Sequence, residues 1–281
     1  MPLLFLAILA AVQGLTELLP ISSSAHLILT WEVFGRLDKP VDLGAGQELV
    51  LDIASHVGTL LAICLYFWRD VVGMAAGTLR LATGRRDPRA RLMGLVLLSA
   101  IPAGAVGLLF QDEIADELRL VEVIAWTQIV FALVLLLADR VGMTIRKLEH
   151  LKVSDAVLVG LAQALALIPG VSRAGITMTM ARFLGMERTE AARFSFLVAI
   201  PTVAGAGLLG GWELYKLGSA ALGLDALITI GLSFLAGLVA LSVLMAWIRH
   251  QTFTIFVVYR LLLGGALLWL VYSGALETLH F

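Results

Sequence analysis

The sequence predicts an all-α polytopic membrane protein of six transmembrane helices, with two re-entrant helical hairpins arranged as an inverted-topology repeat. Of its 281 residues, 60% are hydrophobic and only 15% are charged, whereas about a quarter of the residues in a soluble domain carry charge. The mean hydropathy is +0.96. Apolar stretches such as 93–111 and 226–247 are long enough to cross about 30 Å of hydrocarbon as helices. We therefore expect one membrane domain covering residues 1–281.

The net charge and the cysteine count argue against nucleic-acid binding and against a disulfide-stabilised or thiolate-metal protein. The formal net charge is −1 and no basic tail is present, so no nucleic-acid partner is expected. The lone cysteine, Cys64, lies in an apolar stretch. We therefore expect neither a disulfide framework nor a thiolate metal site.

Charge placement predicts the orientation of the spans. Basic residues crowd the segments 69–92 and 140–152, and acidic residues crowd the segment 112–117 between them. Because loops rich in lysine and arginine stay in the cytoplasm, the acidic segment is predicted to lie outside. The alternation, extended along the chain, places three spans in each half: 48–68, 93–111 and 119–139, then 190–212, 226–247 and 253–274.

Two segments, 2–33 and 153–186, are not predicted to span. Each has a short apolar helix, a break at a proline among polar residues, and a second short helix. Their flanking loops require each segment to begin and end on one side, the first dipping from outside and the second from the cytoplasm. Non-helical backbone at that depth needs protein or a water-filled cavity around it. We therefore predict two re-entrant hairpins.

The two halves, 1–139 and 153–281, resemble each other at these breaks. Pro20-Ile-Ser-Ser-Ser-Ala25 aligns with Pro169-Gly-Val-Ser-Arg-Ala174, and a glutamine precedes each proline. Because charge placement orients the halves oppositely, the match predicts an inverted repeat. The broken helices of such repeats meet near the midplane and form a site there.

The first break carries groups suited to acid–base chemistry. Gln13 and Glu17 are four residues apart and share one helix face. After the proline, Ser22 or Ser23 can cap the next helix, whose free N–H groups attract an anion. His26 follows Ser23 by one helical turn. In the structural interpretation the serines only cap the helix and the carboxylate extends to the membrane interface. However, ionisable groups at membrane depth are usually functional.

The second break carries groups suited to a phosphate. Gly170, Ser172, Arg173 and Thr177 surround the start of a helix. A guanidinium there offers two parallel donors beside free backbone N–H groups. The alternative is an arginine that snorkels to the interface, but Arg173 lies far from either end of its hairpin.

Further polar residues lie within the predicted spans. Asp52 and His56 share one helix face, and they are either partners of the site or ordinary interfacial residues. Arg260, next to Tyr259, is interpreted as structural and paired with a buried carboxylate.

At these positions the chain closely resembles the undecaprenyl-diphosphate phosphatase family, the bacitracin-resistance proteins of bacteria. Gln13-Gly-Leu-Thr-Glu17 resembles the family's (Glu/Gln)-x-x-x-Glu motif, and Leu19-Pro-Ile-Ser-Ser-Ser-Ala-His26 resembles the LPxSSxxH motif that follows it. Pro169-Gly-Val-Ser-Arg173 resembles the PGxSR motif. Similarity extends to His56-Val-Gly-Thr59 and Ser195-Phe-Leu-Val-Ala-Ile-Pro201, so it covers most of the chain.

The resemblance implies a phosphatase that removes the terminal phosphate of undecaprenyl diphosphate, a polyprenyl lipid, and so recycles the carrier used in cell-wall synthesis. It implies a multi-pass protein of the bacterial cytoplasmic (inner) membrane, with the active site opening to the outer face. It also implies a homodimer and a divalent cation, Mg²⁺ or Ca²⁺, for which Glu17 and Gln13 are the expected ligands. Gln13 departs from the commoner glutamate, which weakens its case as a ligand or base.

The expected catalytic residues are Glu17, Ser23, His26 and Arg173. The substrate phosphates are expected to meet Gln13, Ser22, Gly170, Ser172, Arg173 and Thr177. Either Ser23 attacks phosphorus while His26 removes its proton, or His26 or Glu17 activates a water. A competing function is transport, in which the protein flips prenyl phosphates, because broken helices in inverted repeats are typical of transporters.

Overall fold

The described part of the chain is almost entirely helical. In this computed structural model the described residues are 3–27, 29–30, 45–84, 87–109, 120–142 and 144–273. The predicted acidic segment 112–117 and the end of the first hairpin, 31–33, lie outside them. The helices are α1 (Leu3–Leu18), α2 (Ala45–Tyr66), α3 (Trp68–Ala82), α4 (Pro88–Leu109), α5 (Val121–Val141), α6 (Val153–Ala164), α7 (Arg173–Phe183), α8 (Arg188–Leu217), α9 (Ala220–Ile248) and α10 (Thr254–Tyr272).

Six helices of the described residues are long and apolar enough to cross a membrane, which confirms the predicted number of spans. They are α2, α4, α5, α8, α9 and α10. Several run past the predicted bounds: α4 already begins at Pro88, and α8 continues to Leu217. Hydropathy marks only the apolar core of a helix, whereas the backbone hydrogen bonds continue into the polar interface.

The prediction of a loop over 69–92 is wrong in its first part, because Trp68–Ala82 forms the helix α3. This helix folds back on the start of α4. At Gly77 an added Cβ would lie 2.7 Å from the amide nitrogen of Ala90. The absence of a side chain there therefore allows the two helices to pack closely.

The two limbs of the second predicted hairpin are short. Helices α6 and α7 have 12 and 11 residues, or about 17 Å each, well below the about 30 Å of a bilayer core. Arg146, which precedes the segment, joins its two ends: the guanidinium binds Asp155 near the start and donates to the Leu184 carbonyl near the end at 2.7 Å. The Arg146 N–H also donates to the Gly185 carbonyl at 3.1 Å. A segment that returns to its starting point agrees with the predicted hairpin.

In the predicted repeat, four helices of the first half have counterparts in the second: α1 corresponds to α6, α2 to α8, α4 to α9 and α5 to α10. The contacts between the halves follow this correspondence. Helix α1 packs on α9, and its counterpart α6 packs on α4, while α2 pairs with α8 and α5 with α10. Ser22 and Ser172 both have φ of 72°, and each directly precedes a helical segment. The structure therefore pairs Ser22 with Ser172 and Ser23 with Arg173, one residue away from the predicted alignment. The same offset pairs Gln13 with Gln163, and this pattern agrees with an inverted repeat.

Side chains of the helix pair α5 and α10 donate hydrogen bonds to the backbone carbonyl groups that have no helical partner at the two breaks. The Gln128 amide donates to the Ile21 carbonyl at 2.9 Å. On the other side, Arg260 donates to the carbonyls of Gly170 at 2.8 Å and Val171 at 3.1 Å. Arg260 is fully buried and binds backbone carbonyls, so the prediction of a carboxylate partner is wrong. Buried protein donors thus replace the water that non-helical backbone would otherwise need.

The end of the second hairpin is fixed by a buried ion pair. Arg182 lies in α7 and is fully buried. Its guanidinium donates to Asp139 Oδ1 at 3.2 Å, and Arg188 donates to the same oxygen at 2.7 Å. One carboxylate at the end of α5 therefore ties down both the hairpin and the start of α8.

Candidate active site

The two breaks meet at a cavity of about 390 Å³. Helices α2, α4 and α8 complete its walls. It is lined by Glu17, Ser22, Ser23, Ser24, His56, Ala103, Gly104, Gln163, Ala166, Leu167, Ser172, Arg173, Thr202, Val203 and Ala206. A mixture of one carboxylate, one guanidinium, hydroxyl groups and apolar walls suits a molecule with a charged head and an apolar body.

Glu17 is the centre of the polar network. Its Oε1 accepts a hydrogen bond from Arg173 at 2.7 Å, and its Oε2 accepts one from Ser23 Oγ at 2.5 Å. The amide of Gln13 donates to Oε2 at 3.2 Å. Ser23 and Arg173 occupy equivalent first positions of the two broken helices, so the carboxylate of one half binds a donor from each half.

Ser23 is oriented as a nucleophile would be. Its hydroxyl donates to a carboxylate, which is the arrangement in which a neighbouring base can take the proton. The candidate base at hydrogen-bond distance is Glu17.

His26 faces another direction. Its Nδ1 lies 2.7 Å from the Ser22 carbonyl oxygen, which can only accept, so Nδ1 carries the proton. In the neutral ring Nε2 then accepts from the Tyr259 hydroxyl at 2.6 Å. The two rings stack with centroids 5.7 Å apart. The structure therefore brings His26 to α10 and does not bring it to Ser23, and the sequence offered no signal for Tyr259 as its partner.

His56 is the histidine that borders the cavity. Its Nδ1 lies 2.8 Å from the Asp52 carbonyl oxygen, so this nitrogen donates and Nε2 points away from it. Nε2 lies 3.7 Å from Glu17 Oε2. The spacing of Asp52 and His56 had suggested either a partner of the site or an interfacial residue, and the observed position is next to the site.

The other predicted phosphate-binding residues divide into two groups. Ser22 and Ser172 line the cavity, whereas Gln13, Gly170 and Thr177 do not. The Thr177 hydroxyl donates to the Arg173 carbonyl at 2.8 Å and lies 2.6 Å from Ser195 Oγ. It therefore braces the first turn of α7.

Gly170 is required by the backbone. Its φ is +91°, and an added Cβ would lie 2.0 Å from Thr127 Oγ1. Only glycine combines that conformation with such a close approach. Its N–H points toward Ser24 Oγ at 3.4 Å, so Gly170 joins the two breaks.

Donors remain available for an anion. Among the described residues, Arg173 Nη1 has no hydrogen-bond partner although it is buried. The N-terminus of α7 starts at the same residue, and Ser172 caps it by accepting from the Gly175 N–H at 3.1 Å. A guanidinium and a helix N-terminus at one place form a phosphate-binding arrangement.

The oxygen atoms beside Glu17 are of the kind that a hard cation prefers, although Gln13, one of the two expected ligands, does not line the cavity. The described residues contain no group of three or more histidine, cysteine, aspartate or glutamate side chains placed to hold a metal ion. However, Gln13 Oε1 is buried and has no partner within that part of the chain, and Glu17 and Ser23 offer further oxygen atoms nearby. Mg²⁺ commonly binds one or two such protein ligands and takes the others from water and substrate phosphates.

This combination of fold and site defines the protein as an integral membrane enzyme of the phosphoryl-transfer class. A hydroxyl that is hydrogen-bonded to a carboxylate, a guanidinium and a helix N-terminus face one cavity between membrane-spanning helices. These are the groups that attack phosphorus and stabilise its developing charge.

The chain belongs to the family described as bacitracin resistance protein BacA, which matches residues 6–266. It is 47% identical over 277 residues to undecaprenyl-diphosphatase 1 of Rhodospirillum rubrum. That alignment covers 98% of this chain and 97% of the relative. It is 46% identical over 275 residues to the undecaprenyl-diphosphatase of a Jannaschia species, covering 97% and 100%. The undecaprenyl-diphosphatase of Maricaulis maris is 46% identical over 272 residues, covering 95% and 98%. The family predicted from the motifs is confirmed.

Proposed function

We propose that this protein hydrolyses undecaprenyl diphosphate to undecaprenyl phosphate and inorganic phosphate, and thereby recycles the lipid carrier of the cell wall. The observation that carries the proposal is the contact of Ser23 and Arg173 with one carboxylate, Glu17, at a cavity among membrane helices. The names of the relatives supply the substrate. The family's name associates this activity with bacitracin resistance.

The reaction uses the protein's own groups in sequence. A terminal phosphate competes with Glu17 for Arg173, since the guanidinium can bind either anion. Glu17 is then free to take the proton of Ser23, whose oxygen attacks the terminal phosphorus as the bond to the bridging oxygen breaks. Glu17 passes that proton to the bridging oxygen as undecaprenyl phosphate leaves, which restores the carboxylate. A water then gives a proton to Glu17 and attacks the phosphoserine, and Glu17 returns the proton to the Ser23 oxygen as inorganic phosphate leaves. Arg173 and the α7 N-terminus stabilise the charge that develops.

A divalent cation, Mg²⁺ or Ca²⁺, is part of the proposal. Gln13 and Glu17 would hold it, and when bound it neutralises charge on the phosphate oxygens. We also propose a homodimer, which the family resemblance supports.

The proposed location is the bacterial inner membrane, with the site on the outer side. Along α4 the cavity residue Ala103 lies about 22 Å from Pro88, and along α8 Thr202 lies about 21 Å from Arg188, at 1.5 Å per residue. Helix α4 starts within the basic segment 69–92, and α8 starts at Arg188, between Arg182 and Arg193; basic regions of this kind favour the cytoplasm. Because both starts lie in the polar interface, these distances place the cavity near the middle of a bilayer of about 40–45 Å. The first hairpin, predicted from charge placement to dip from outside, is what favours access from the outer leaflet.

Phosphate release by the purified protein in detergent tests the function. We expect release from undecaprenyl diphosphate in the presence of Mg²⁺, and none from undecaprenyl phosphate. Arg173→Lys keeps the charge but loses the planar pair of donors, so turnover should fall about 10²-fold, the scale of one lost transition-state donor. Arg140→Lys, an exposed change outside the cavity, is the matched control.

The same assay separates hydrolysis from transport. Detergent provides no second compartment, so a protein that only flips prenyl phosphates would release no phosphate. Absence of release from a folded, metal-loaded protein would reject the phosphatase and favour the transporter.

A further inference from the structure

A second and larger cavity lies at the opposite end of the spans. It measures about 620 Å³ and forms between α3, the start of α4, the segment 147–149 and the start of α8. The first three lie almost entirely within the basic segments 69–92 and 140–152, which charge placement assigns to the cytoplasm. The site described above does not use any of its residues.

The charges in this cavity are only partly neutralised. Arg193 donates to both oxygens of Asp70, at 2.9 Å and 2.5 Å, and to Glu190 at 3.4 Å. Arg91 binds the Leu151 carbonyl. The fixed carboxylates are therefore already occupied by one arginine.

Three more cations line the cavity, and none of their side chains forms an ion pair within 4.0 Å in the part of the chain that the structure describes, although Asp87 lies near Arg89. They are Arg69, Arg89 and Lys147, and all three are exposed. Glu149 also lines the cavity, but it is 74% exposed and lies 3.9 Å from His150. The cavity thus presents an excess of positive charge to an incoming anion.

The floor of the cavity is apolar. Met74, Leu95 and Leu148 line it and are buried. At its edge Trp68 is 53% exposed, and the Arg69 guanidinium lies 5.5 Å from its ring centroid. Exposed tryptophan is typical of the membrane–water interface, and Val72 and Leu79 of α3 are exposed as well. An anion bound here would therefore have apolar surface directly beside it.

We propose that this cavity binds the phosphate headgroup of an anionic phospholipid from the leaflet on the basic side of the protein. A phosphodiester matches the unpaired guanidinium groups, and the start of its acyl chains matches the apolar floor. Basic pockets between membrane helices on the cytoplasmic side are suited to such headgroups. The bound lipid would fasten α3 to the start of α4.

Lipid binding by the full-length protein in nanodiscs tests this. Phosphatidylcholine discs with and without 30 mol% phosphatidylglycerol are compared by native mass spectrometry and thermal unfolding. We expect retained phosphatidylglycerol and a higher unfolding midpoint. Arg69→Gln/Arg89→Gln/Lys147→Gln should weaken phosphatidylglycerol binding by roughly 10²-fold, because three phosphate contacts are lost and one lost hydrogen bond costs about fivefold.

The control removes the same charge elsewhere on the basic side. Arg140→Gln/Lys152→Gln/Arg249→Gln changes exposed residues outside the cavity and should retain binding within about twofold. Equal weakening in both triple variants would indicate diffuse surface attraction and overturn the proposal, as would unchanged binding in the cavity variant. Inorganic phosphate is tested in the same way. If phosphate alone stabilised the protein, and the cavity variant alone lost this effect, the lipid proposal would be rejected in favour of a site for a free anion.

Folding of the variants is checked independently. Both triple variants should hydrolyse the substrate normally in phosphatidylcholine, because none of the changed residues lines the active-site cavity. If the cavity triple variant is inactive, the single change Arg89→Gln replaces it. That variant should weaken phosphatidylglycerol binding about fivefold, the scale of one lost hydrogen bond, and unchanged binding in it would reject the proposal.

Discussion

At the scale of single residues, Glu17 is the group on which the chemistry depends. One carboxylate accepts from Ser23, Arg173 and Gln13 in a buried site. A carboxylate with three donors and little water stays in one place, so the hydroxyl is already aligned before a substrate arrives. The arrangement favours Glu17 as the base for Ser23.

The serine route makes a prediction about Ser23. If Ser23 attacks phosphorus, Ser23→Ala should abolish turnover and leave substrate binding intact, and rapid quenching of the native protein should trap phosphoserine. Thr202→Ala, which changes another hydroxyl of the cavity wall, is the control. If a water attacks instead, no covalent species forms and Ser23→Ala loses only about 10²-fold, the effect of one positioning hydrogen bond.

His26 makes a separate prediction. Since its ring nitrogens bind the Ser22 carbonyl and Tyr259, its expected role is to hold the turn that carries Ser23. The amide of asparagine can imitate the Nδ1 donor, so His26→Asn should keep at least a tenth of the turnover, with an unchanged pH profile. His26→Ala should lose considerably more. If both variants were equally inactive, or if the pH profile of His26→Asn moved, His26 would be the base of the earlier hypothesis.

At the scale of elements, the two breaks depend on donors that neighbouring helices provide. Ile21, Gly170 and Val171 have buried carbonyls that Gln128 and Arg260 satisfy. A buried carbonyl without a donor costs about 1–3 kcal/mol. The breaks can therefore exist at membrane depth only because α5 and α10 lie against them.

This dependence predicts the effect of Gln128→Leu. The Ile21 carbonyl loses its donor, so the protein should lose about 1–3 kcal/mol of stability. Turnover should fall as well, because the turn that carries Ser23 loses its anchor. Thermal unfolding in detergent measures the first effect, with the exposed Gln251→Leu as control. Equal midpoints for the two variants would show that the Ile21 carbonyl finds another partner.

At the scale of the whole molecule, the orientation of the halves decides which leaflet supplies the substrate. Two basic segments and the acidic segment 112–117 predict it from charge alone. The exchanged contacts of α1 with α9 and α6 with α4 agree with halves of opposite orientation.

Cysteine labelling in intact cells tests this orientation. In a Cys64→Ser background, Ala115→Cys in the acidic segment should react with an impermeant thiol reagent. Thr83→Cys, at the exposed end of α3, should react only after the cells are broken. The reverse labelling pattern would show that the protein has the opposite orientation in the membrane, with the site toward the cytoplasm.

The six spans, the positions of both breaks and most of the chemical groups could be read from the sequence. Long apolar stretches have few alternatives to a transmembrane helix, because every backbone polar group must be paired inside the bilayer. Prolines beside serine, histidine and arginine stand out in such a background. The motifs around Glu17, Ser23 and Arg173 were sufficient to identify the family.

Pairings between distant residues were decided only by the tertiary structure. Arg260 and Tyr259 lie in the last span, and nothing in their local sequence indicates the carbonyls or the histidine that they bind. The three-residue spacing predicted that the His26 side chain lies beside Ser23. In a helix, however, successive side chains point in different directions and so meet different neighbours. The direction of each side chain depends on which helix packs against it, and that choice is a property of the assembled core.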